Sequence, residues 1–357
     1  MTSTTLTRAN SETVTGNRSD PASRDSASRD SAGSDFAALS RRIVAAGLLK
    51  RRPRYYVMRF LLTDAAFAGG WALFAWVGDS WAQLLVAALL AVAFTQVAFL
   101  GHDAGHRQVS GSRRFSEVLG LLHGNLGVGL SYGWWMDKHT RHHANPNHEE
   151  RDPDVGAGAI VWTGKQARSR RGLGAFLARR QAYLFFPLLL LEGLNLHVSS
   201  VRSLRGLGRH RRVEAVLLAA HLIGYTTAVL LVLSPLRALA FIAVQQGLFG
   251  LYMGCAFAPN HKGMPVLTAA DRLDFLRRQV LTSRNVRGTA ADLLLGGLNY
   301  QIEHHLFPSM PRPNLRRAQP LVRDYCVQHG IEYRDATLIQ SYRQVLRHLD
   351  GVGAPMR

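Results

Sequence analysis

Apolar residues are concentrated in four runs that are each long enough to cross a lipid bilayer. The runs are residues 60–77, 81–101, 215–233 and 238–258. About 20 helical residues cross a hydrocarbon core of about 30 Å, so each run predicts a membrane-spanning helix. Short links, Gly78–Ser80 and Ser234–Arg237, join the runs in pairs. We therefore expect an all-α integral membrane protein whose four transmembrane helices form two antiparallel hairpins.

Polar segments surround these runs. Residues 1–35 are rich in Ser, Thr, Asp and Arg and contain almost no large apolar side chain, which predicts a disordered N-terminal tail. The long segments 102–212 and 259–345 follow the second and fourth runs, and we expect them to form a helical cap on one side of the membrane. The main domain is then residues 36–345, and residues 346–357 form a C-terminal tail.

A shorter apolar stretch interrupts the first of these polar segments. Leu184–Leu191 is too short to span a bilayer, contains Pro187 and lies between basic residues. We expect residues 183–200 to form an amphipathic or re-entrant segment that lies on the bilayer, with the basic side chains facing anionic headgroups.

The positive charge has a sided distribution. The formal net charge is +19, and many Lys and Arg residues lie at 41–54 and between His102 and Arg212. The two short links contain a single basic residue, Arg237. By the positive-inside rule, both termini and the polar cap are predicted to be cytosolic. The basic residues are spread over loops beside apolar runs and accompany no nucleic-acid motif, so we expect no nucleic-acid partner.

Residue usage narrows the compartment and the chemistry. Arg greatly outnumbers Lys, a bias typical of GC-rich bacterial genomes, so we expect a bacterial plasma membrane. Cys255 and Cys326 form no CxxC motif, and Cys255 lies inside an apolar run. Neither a disulfide framework nor a redox motif is indicated, which leaves histidine as the candidate chemical group.

Seven histidines occur in three clusters with helical spacing. The clusters are His102 and His106; His139, His142 and His143; and His304 and His305, preceded by Gln301. Helical positions i, i+3 and i+4 share a face, so each cluster points its imidazoles at one place. Neutral imidazole binds zinc, copper, iron or nickel, and a structural zinc site is satisfied by four ligands. Seven imidazoles therefore predict two metal ions.

The order of these clusters resembles that of the membrane fatty acid desaturases. The pattern is His-x-x-x-His, then His-x-x-His-His, then Gln-x-x-His-His followed by Leu306-Phe307-Pro308. The third cluster, which begins with Gln, is similar to that of the front-end branch of the family. The resemblance covers roughly residues 40 to 345, including Asn260-His261 and Asn299-Tyr300 ahead of the third cluster.

The resemblance implies an O₂-dependent enzyme with two iron ions that introduces a cis double bond into an acyl chain. It implies that the seven clustered histidines are catalytic metal ligands and that His261 is an eighth ligand. Two electrons must come from outside, and the sequence contains no haem-binding or flavin motif. We therefore expect a separate ferredoxin or cytochrome partner, and a substrate that is either an acyl-CoA or a phospholipid in the surrounding lipid.

Three polar residues are candidates for supporting the metal ligands. Gln301 is expected to act through a hydrogen bond or a metal-bound water, because its amide is a weak ligand. Asp103 either orients a ligand histidine or is a solvated neighbour. Asn260 either binds through a water or ends a helix. Four further histidines are expected to be structural: His123, His148, His197 and His221.

Two other classes of protein compete with the desaturase interpretation. A histidine-rich di-iron hydroxylase of alkyl, carotenoid or sphingolipid chains uses similar chemistry, but the Gln-led third cluster and its Leu-Phe-Pro tail argue against it. A non-catalytic metal transporter or haem electron carrier would place histidines within the membrane spans. Here only His221 lies well inside a predicted span.

Overall fold

The structure is a computed structural model that describes residues 34–356 except residues 157, 207, 209 and 210. The predicted disordered tail, residues 1–35, lies outside the described residues apart from its last two positions, and Asp35 there begins a helix. Helices form most of the described chain, which confirms the helical character of the all-α fold that the sequence predicts.

The α-helices in the first half of the described chain are α1 (Asp35–Ala45), α2 (Pro53–Val77), α3 (Gln83–Gly105), α4 (Arg113–Gly120), α5 (Tyr132–Ala144), α6 (Gly164–Arg168), α7 (Gly172–Leu189) and α8 (Glu192–Ser203). Those in the second half are α9 (Arg211–Val232), α10 (Pro235–His261), α11 (Phe275–Leu281), α12 (Ala291–Leu294), α13 (Gln301–Leu306), α14 (Arg312–Gln328) and α15 (Leu338–Gly353). The shorter elements are a π-helix (Leu121–Gly127), 3₁₀ turns (Pro153–Val155, Leu204–Gly206, Ala354–Met356) and strands β1 (Asn285–Arg287) and β2 (Asp335–Thr337).

Four helices, α2, α3, α9 and α10, are long and apolar enough to cross a membrane. Each contains most of one predicted run, so the four predicted runs are confirmed as candidate spans in the predicted order; a bent helix pair would be a fifth if it were counted as one span. Two of them begin at a proline, Pro53 and Pro235, whose fixed φ and missing N–H suit the first turn of a helix. Their outer faces expose large apolar side chains, which suit lipid rather than water. Examples are Leu61, Leu85, Ile223, Leu231 and Leu239.

The helix α3 lies at the centre of this apolar part. Its side chains Leu90 and Phe94 are fully buried and belong to one core cluster with Phe241 and Phe249 of α10. The side chain of Leu90 also packs closely on α2, because a Cβ added at Gly70 would lie 2.7 Å from a methyl carbon of Leu90. Because α3 packs on both neighbours, its polar C-terminal end is held in a fixed position.

The helices α7 and α8 form a bent pair with an angle of 81° between them. The bend falls after Leu189 and within the region 183–200 that the sequence predicts to be amphipathic or re-entrant. Beyond the bend, α8 lies so close to α10 that a Cβ added at Gly250 would be 2.3 Å from the backbone nitrogen of Gly193. This backbone contact ties α8 to the helix that ends at His261.

The polar part of the chain contains a small sheet, which corrects the all-α expectation. The strands β1 and β2 pair in parallel, with Asn285 opposite Asp335 and Arg287 opposite Thr337. The pairing depends on contacts between distant parts of the chain, and three-residue strands show no alternating hydrophobic pattern. Residues 346–353, assigned from the sequence to a C-terminal tail, continue α15, and Leu349 there is fully buried.

Candidate metal centre

The ends of four helices bring the eight predicted histidine ligands to one region. His102 lies in the last turn of α3, and His106 directly follows that helix. The last turns of α5 carry the second cluster, which ends before the turn-rich sequence at Asn145. The short helix α13 carries the third cluster, and His261 is the last residue of α10. Within each cluster, the helical spacing places the imidazoles on the same face. The packing of the four helix ends then brings the clusters together.

The first group of imidazoles consists of His102, His106, His139 and His304, whose ligand nitrogens all lie within 4.8 Å of one another. The Nε2 atoms of His106 and His139 are 2.8 Å apart. The Nε2 atoms of His102 and His304 are buried and have no hydrogen-bond partner among the described residues. Buried polar atoms normally have a partner, so these two nitrogens point to a ligand that the polypeptide itself does not supply.

The second group consists of His142, His261 and His305. The Nε2 atom of His261 lies 3.3 Å from Nε2 of His142 and 3.1 Å from Nε2 of His305. Two nitrogen ligands at right angles, each about 2.1 Å from one metal ion, are separated by about 3.0 Å. The separations in this group therefore fit neighbouring ligands of a single ion.

Hydrogen bonds fix which nitrogen of each ring in the second group carries the proton. His142 donates its Nδ1–H to Asp152 Oδ2 at 2.9 Å. His261 donates its Nδ1–H to the Thr282 carbonyl at 3.0 Å, and His305 donates its Nδ1–H to Gln279 Oε1 at 2.9 Å. A neutral imidazole has only one N–H, so the three Nε2 atoms carry lone pairs directed at one another. Lone pairs at these distances repel unless a positive partner lies among them. The Gln301 amide NH₂ lies 2.9 Å from Nε2 of His261 and supplies a donor to that one nitrogen, so a cation would be needed to offset the repulsion among all three, and the group is suited to hold a metal ion.

His143 lies between the two groups. Its Nε2 atom is 3.0 Å from Nε2 of His139 in the first group. Its ring stacks on that of His305 in the second group, with centroids 4.2 Å apart and planes at 11°. His143 therefore contacts both groups, and metal ions bound to the two groups would be neighbours.

The protonation of the buried rings suits metal binding. Burial lowers the pKa of five of these imidazoles well below the usual histidine value, and neighbouring imidazoles lower it further. The five are His106, His139, His143, His304 and His305. Neutral imidazole is the form that binds a metal, so these rings need no deprotonation step at neutral pH.

Two acidic residues lie behind the second group. Asp152 and Asp154 come within 4.8 Å of a nitrogen of His142, but that nitrogen is Nδ1, which donates its proton to Asp152. Asp152 Oδ1 also accepts from the backbone N–H of Asp154 at 2.9 Å, and Asp154 pairs with Lys138 at 2.8 Å. Asp152 therefore both shapes the loop and orients His142 from the side opposite the ligand nitrogen.

The three predicted supporting residues take different positions. Asp103 lies 3.6 Å from Nδ1 of His102, beyond hydrogen-bond distance, and forms a buried ion pair with Arg312 at 2.7 Å. The Gln301 amide is 2.9 Å from Nε2 of His261, so it faces the point shared by the second group. Asn260 contacts Gln301 at 3.4 Å and no ligand nitrogen. Their roles at a metal stay predictions.

The structure places the four histidines expected to be structural outside both groups. The Nδ1 atoms of three of them bond to backbone carbonyls: His123 to Leu119, His197 to Gly129 and His221 to Leu126. His148 accepts a hydrogen bond from the backbone of Glu150. His221 also faces His197, with ring centroids 6.0 Å apart, a pairing that the sequence does not predict because α8 and α9 meet only in the folded chain.

Several residues at the centre were not predicted as site residues. Gln279 and Thr282 belong to α11 and its C-cap, a region without any recognised motif. Glu303 lies inside the third cluster and is fully buried. Its carboxylate accepts hydrogen bonds of 2.7 Å from both Asn285 Nδ2 and the Tyr333 hydroxyl, which fixes α13 from behind. The sequence could have indicated Glu303, because a charged residue there lies between two predicted site positions. No neighbouring sequence feature indicated Gln279.

Two buried groups of imidazoles that are suited to hold metal ions lie at the ends of four helices, two of which, α3 and α10, are candidate membrane spans. These features indicate a membrane protein with a candidate histidine metal centre. Comparison with known families assigns it further, because the family model for fatty acid desaturases matches residues 79–337. This match covers most of the chain and contains all eight predicted ligands. The protein belongs to the fatty acid desaturase family.

Curated relatives agree with this assignment. The acyl-lipid (9-3)-desaturase of Physcomitrium patens is 32% identical over 318 residues, which cover 85% of this chain and 60% of that protein. The delta(6)-fatty-acid desaturase fat-3 of Caenorhabditis elegans is 30% identical, with 88% of this chain and 74% of that protein covered. The acyl-lipid 8-desaturase of Rebecca salina is 30% identical, with 88% and 73% covered. The chain thus spans about 60% of the length of the first of these relatives.

Proposed function

We propose that this protein is a fatty acyl desaturase, an oxidoreductase that introduces a cis double bond into an acyl chain. The overall reaction converts two neighbouring CH₂ groups, O₂, two electrons and two protons into a CH=CH unit and two molecules of water. The observation that carries the proposal is the pair of imidazole groups, whose bare nitrogens converge in a chain of the desaturase family.

The residues fit two iron ions. His102, His106, His139 and His304 would hold one ion, and His142, His261 and His305 the other, with His143 between them. Bound iron supplies the oxidising power for O₂-dependent removal of hydrogen from an unactivated chain, which no side chain supplies. All the clustered ligands are imidazole nitrogens, which iron accepts. The Nε2 atoms of His102 and His304 have no hydrogen-bond partner among the described residues, which supports a bound ion at that position.

The protein's own contribution is to hold and shield this centre. Asp152, Gln279 and the Thr282 carbonyl fix the rings of the second group so that Nε2 faces inward. Burial of the histidines keeps bulk water away from the reacting carbon atoms, which limits side reactions. The apolar helices that carry His102 and His261 lead directly to the centre, so an acyl chain that lies against them reaches it without crossing water.

We also propose that the four spans form two hairpins with the metal centre and both termini on the cytosolic side of a bacterial plasma membrane. Short links connect α2 to α3 and α9 to α10. Both α3 and α10 end at the metal centre, which fits two antiparallel pairs that share one polar cap. The basic segments flank the spans on this same side, as the positive-inside rule requires.

The substrate in this proposal is an acyl-CoA or a phospholipid whose polar end meets the basic surface of the cap. Guanidinium groups bind phosphate with paired hydrogen bonds, and both substrate classes carry phosphate. The names of two relatives, an acyl-lipid (9-3)-desaturase and an acyl-lipid 8-desaturase, specify acyl-lipid substrates for those proteins, which supports the lipid-linked form here. The two electrons come from a separate ferredoxin or cytochrome.

The proposal is tested by expressing the full chain in a host that supplies reduced ferredoxin or cytochrome and by profiling total fatty acids with gas chromatography. We expect a new unsaturated fatty acid, and none when His304→Ala is expressed at the same level in the membrane. A hydroxylated product in place of the unsaturated one would contradict the proposal and support the hydroxylase alternative. An unchanged profile with a functional donor present would also contradict it.

A further inference from the structure

Gln279 connects two of the histidine clusters although it belongs to neither. Its side chain is fully buried, and it lies in α11 between α5 and α13. The amide Nε2 is 2.9 Å from the backbone carbonyl of His143, and the amide Oε1 is 2.9 Å from Nδ1 of His305. We infer that Gln279 is a positioning residue that sets the tautomer of His305 and the spacing between the second and third clusters.

The orientation of the amide follows from its partners. The carbonyl of His143 can only accept a hydrogen bond, so the NH₂ end of Gln279 must face it. The oxygen end then faces His305, whose Nδ1 must be the donor. A neutral His305 therefore carries its lone pair on Nε2, the atom that lies 3.1 Å from Nε2 of His261. A backbone carbonyl thus determines, through one side chain, which nitrogen of a candidate ligand binds metal.

Packing holds the amide in this place. Asp274 caps the start of α11 by accepting from the backbone N–H of Arg277 at 2.9 Å. On the buried side of the helix, Leu276 and Val280 belong to the same core cluster as Leu306 of α13. Gln279 therefore sits on a short helix that is fixed at its start and along its side. A rigid support of this kind keeps a ligand orientation constant.

The same residue controls the contact between the two imidazole groups. His143 and His305 stack at 4.2 Å, and Gln279 bonds to the backbone of the first and to the ring of the second. By contrast, no ring of the first group has a hydrogen bond to Gln279 among the described residues. Loss of Gln279 should therefore weaken the second group's metal and spare the first.

This inference rests on the proposed di-metal desaturase, and its test uses metal binding rather than turnover. The full chain is purified in detergent, stripped of metal under anaerobic conditions and titrated with Co(II), followed by visible absorption. Wild type should bind two Co(II) ions. Gln279→Met keeps the side-chain volume but removes both hydrogen bonds, and we expect the second ion to bind about 10- to 100-fold more weakly.

Two further variants separate positioning from packing. Gln279→Glu retains an oxygen that accepts from His305, so its second ion should bind more tightly than that of Gln279→Met. Gln181→Met is the matched control, because Gln181 is also buried and bridges the backbones of Val161 and Leu349 at 3.0 and 3.1 Å. This control should bind both ions as wild type does.

The outcomes are distinct. Wild-type affinity for both ions in Gln279→Met would overturn the role of Gln279 and leave the proposed function standing. Equal weakening of both ions, or a second ion held no more tightly by Gln279→Glu than by Gln279→Met, would also overturn it. Failure of the wild-type protein to bind two ions would instead contradict the proposed function itself.

Discussion

The imidazole rings of His143 and His305 stack nearly parallel at 4.2 Å, although one belongs to the second histidine cluster and the other to the third. His143 Nε2 also lies 3.0 Å from Nε2 of His139, which belongs to the four-imidazole group. The stack therefore joins two sets of nitrogens into one centre. Removal of either stacked ring is expected to affect both sets.

The first prediction concerns the clustered histidines. Alanine at any one of them should abolish desaturation, because each removes a ligand nitrogen. The positions are His102, His106, His139, His142, His143, His304 and His305. Membrane insertion should be unaffected, since the ligands lie at the polar ends of their helices. Product is measured by gas chromatography and normalised to protein in the membrane fraction.

Histidines outside the two groups provide the controls for this series. His123, His148, His197 and His221 should tolerate Gln or Asn, because each has a hydrogen bond to a backbone group that an amide can also make. Substantial activity of His142→Ala at normal expression would show that the assignment of ligands is wrong.

The second prediction concerns Asp152, which accepts the Nδ1–H of His142 at 2.9 Å. Asp152→Asn replaces a charged acceptor by a weaker one, and we expect about a 10- to 100-fold loss of desaturation. Asp137→Asn is the control, because Asp137 is exposed and pairs only on the surface with Arg141 of the same helix. Surface ion pairs of this kind contribute little to the stability of a protein, so Asp137→Asn should keep its activity. Full activity of Asp152→Asn would contradict the orienting role.

The third prediction concerns Gln301, whose amide is 2.9 Å from Nε2 of His261. If the amide supports the metal through a hydrogen bond, Gln301→Ala should lose activity only partially, by about 10- to 100-fold. Gln301→His should retain some activity, because its imidazole would still point at the second group. Iron content and product are measured beside His304→Ala. Loss of iron in Gln301→Ala as complete as in His304→Ala would make Gln301 a metal ligand.

The fourth prediction tests the close packing of α8 on α10. A Cβ at Gly250 would lie 2.3 Å from the nitrogen of Gly193 and 2.7 Å from the carbonyl oxygen of Leu189, and neither backbone atom can move freely. Gly250→Ala should therefore destabilise the protein by about 1–3 kcal/mol. Gly224→Ala, where a Cβ meets nothing within 4 Å, should cause no loss. Thermal unfolding in detergent distinguishes the two variants. Equal melting temperatures for Gly250→Ala and Gly224→Ala would contradict the close packing of α8 on α10.

The sequence predicted those parts of the molecule that depend on local periodicity. The apolar runs indicated four spans, and the i, i+3, i+4 spacing indicated that His139, His142 and His143 share a face. The sequence could not predict the residues that act through contacts between distant segments. Gln279 and Thr282 reach the centre only because α11 packs between two clusters. The strands β1 and β2 were missed for the same reason, since their pairing is not local.

Some sequence features were visible but carried too little information alone. Asp152 lies in a turn-rich stretch, where an Asp normally shapes the loop, and it does so here by binding the N–H of Asp154. Its second role at His142 becomes apparent only when the loop is placed beside α5. The sequence similarly gives His261 no cluster of its own, and its position at the end of α10 places it in the second group.

The most direct test of the account is the metal content of the full chain, purified in detergent after expression with added iron. Elemental analysis should give two irons per chain, because the four-imidazole and three-imidazole groups are separate sets joined by His143. Near one metal per chain would contradict the account. Stoichiometric zinc in place of iron, once aerobic exchange is excluded, would contradict it equally.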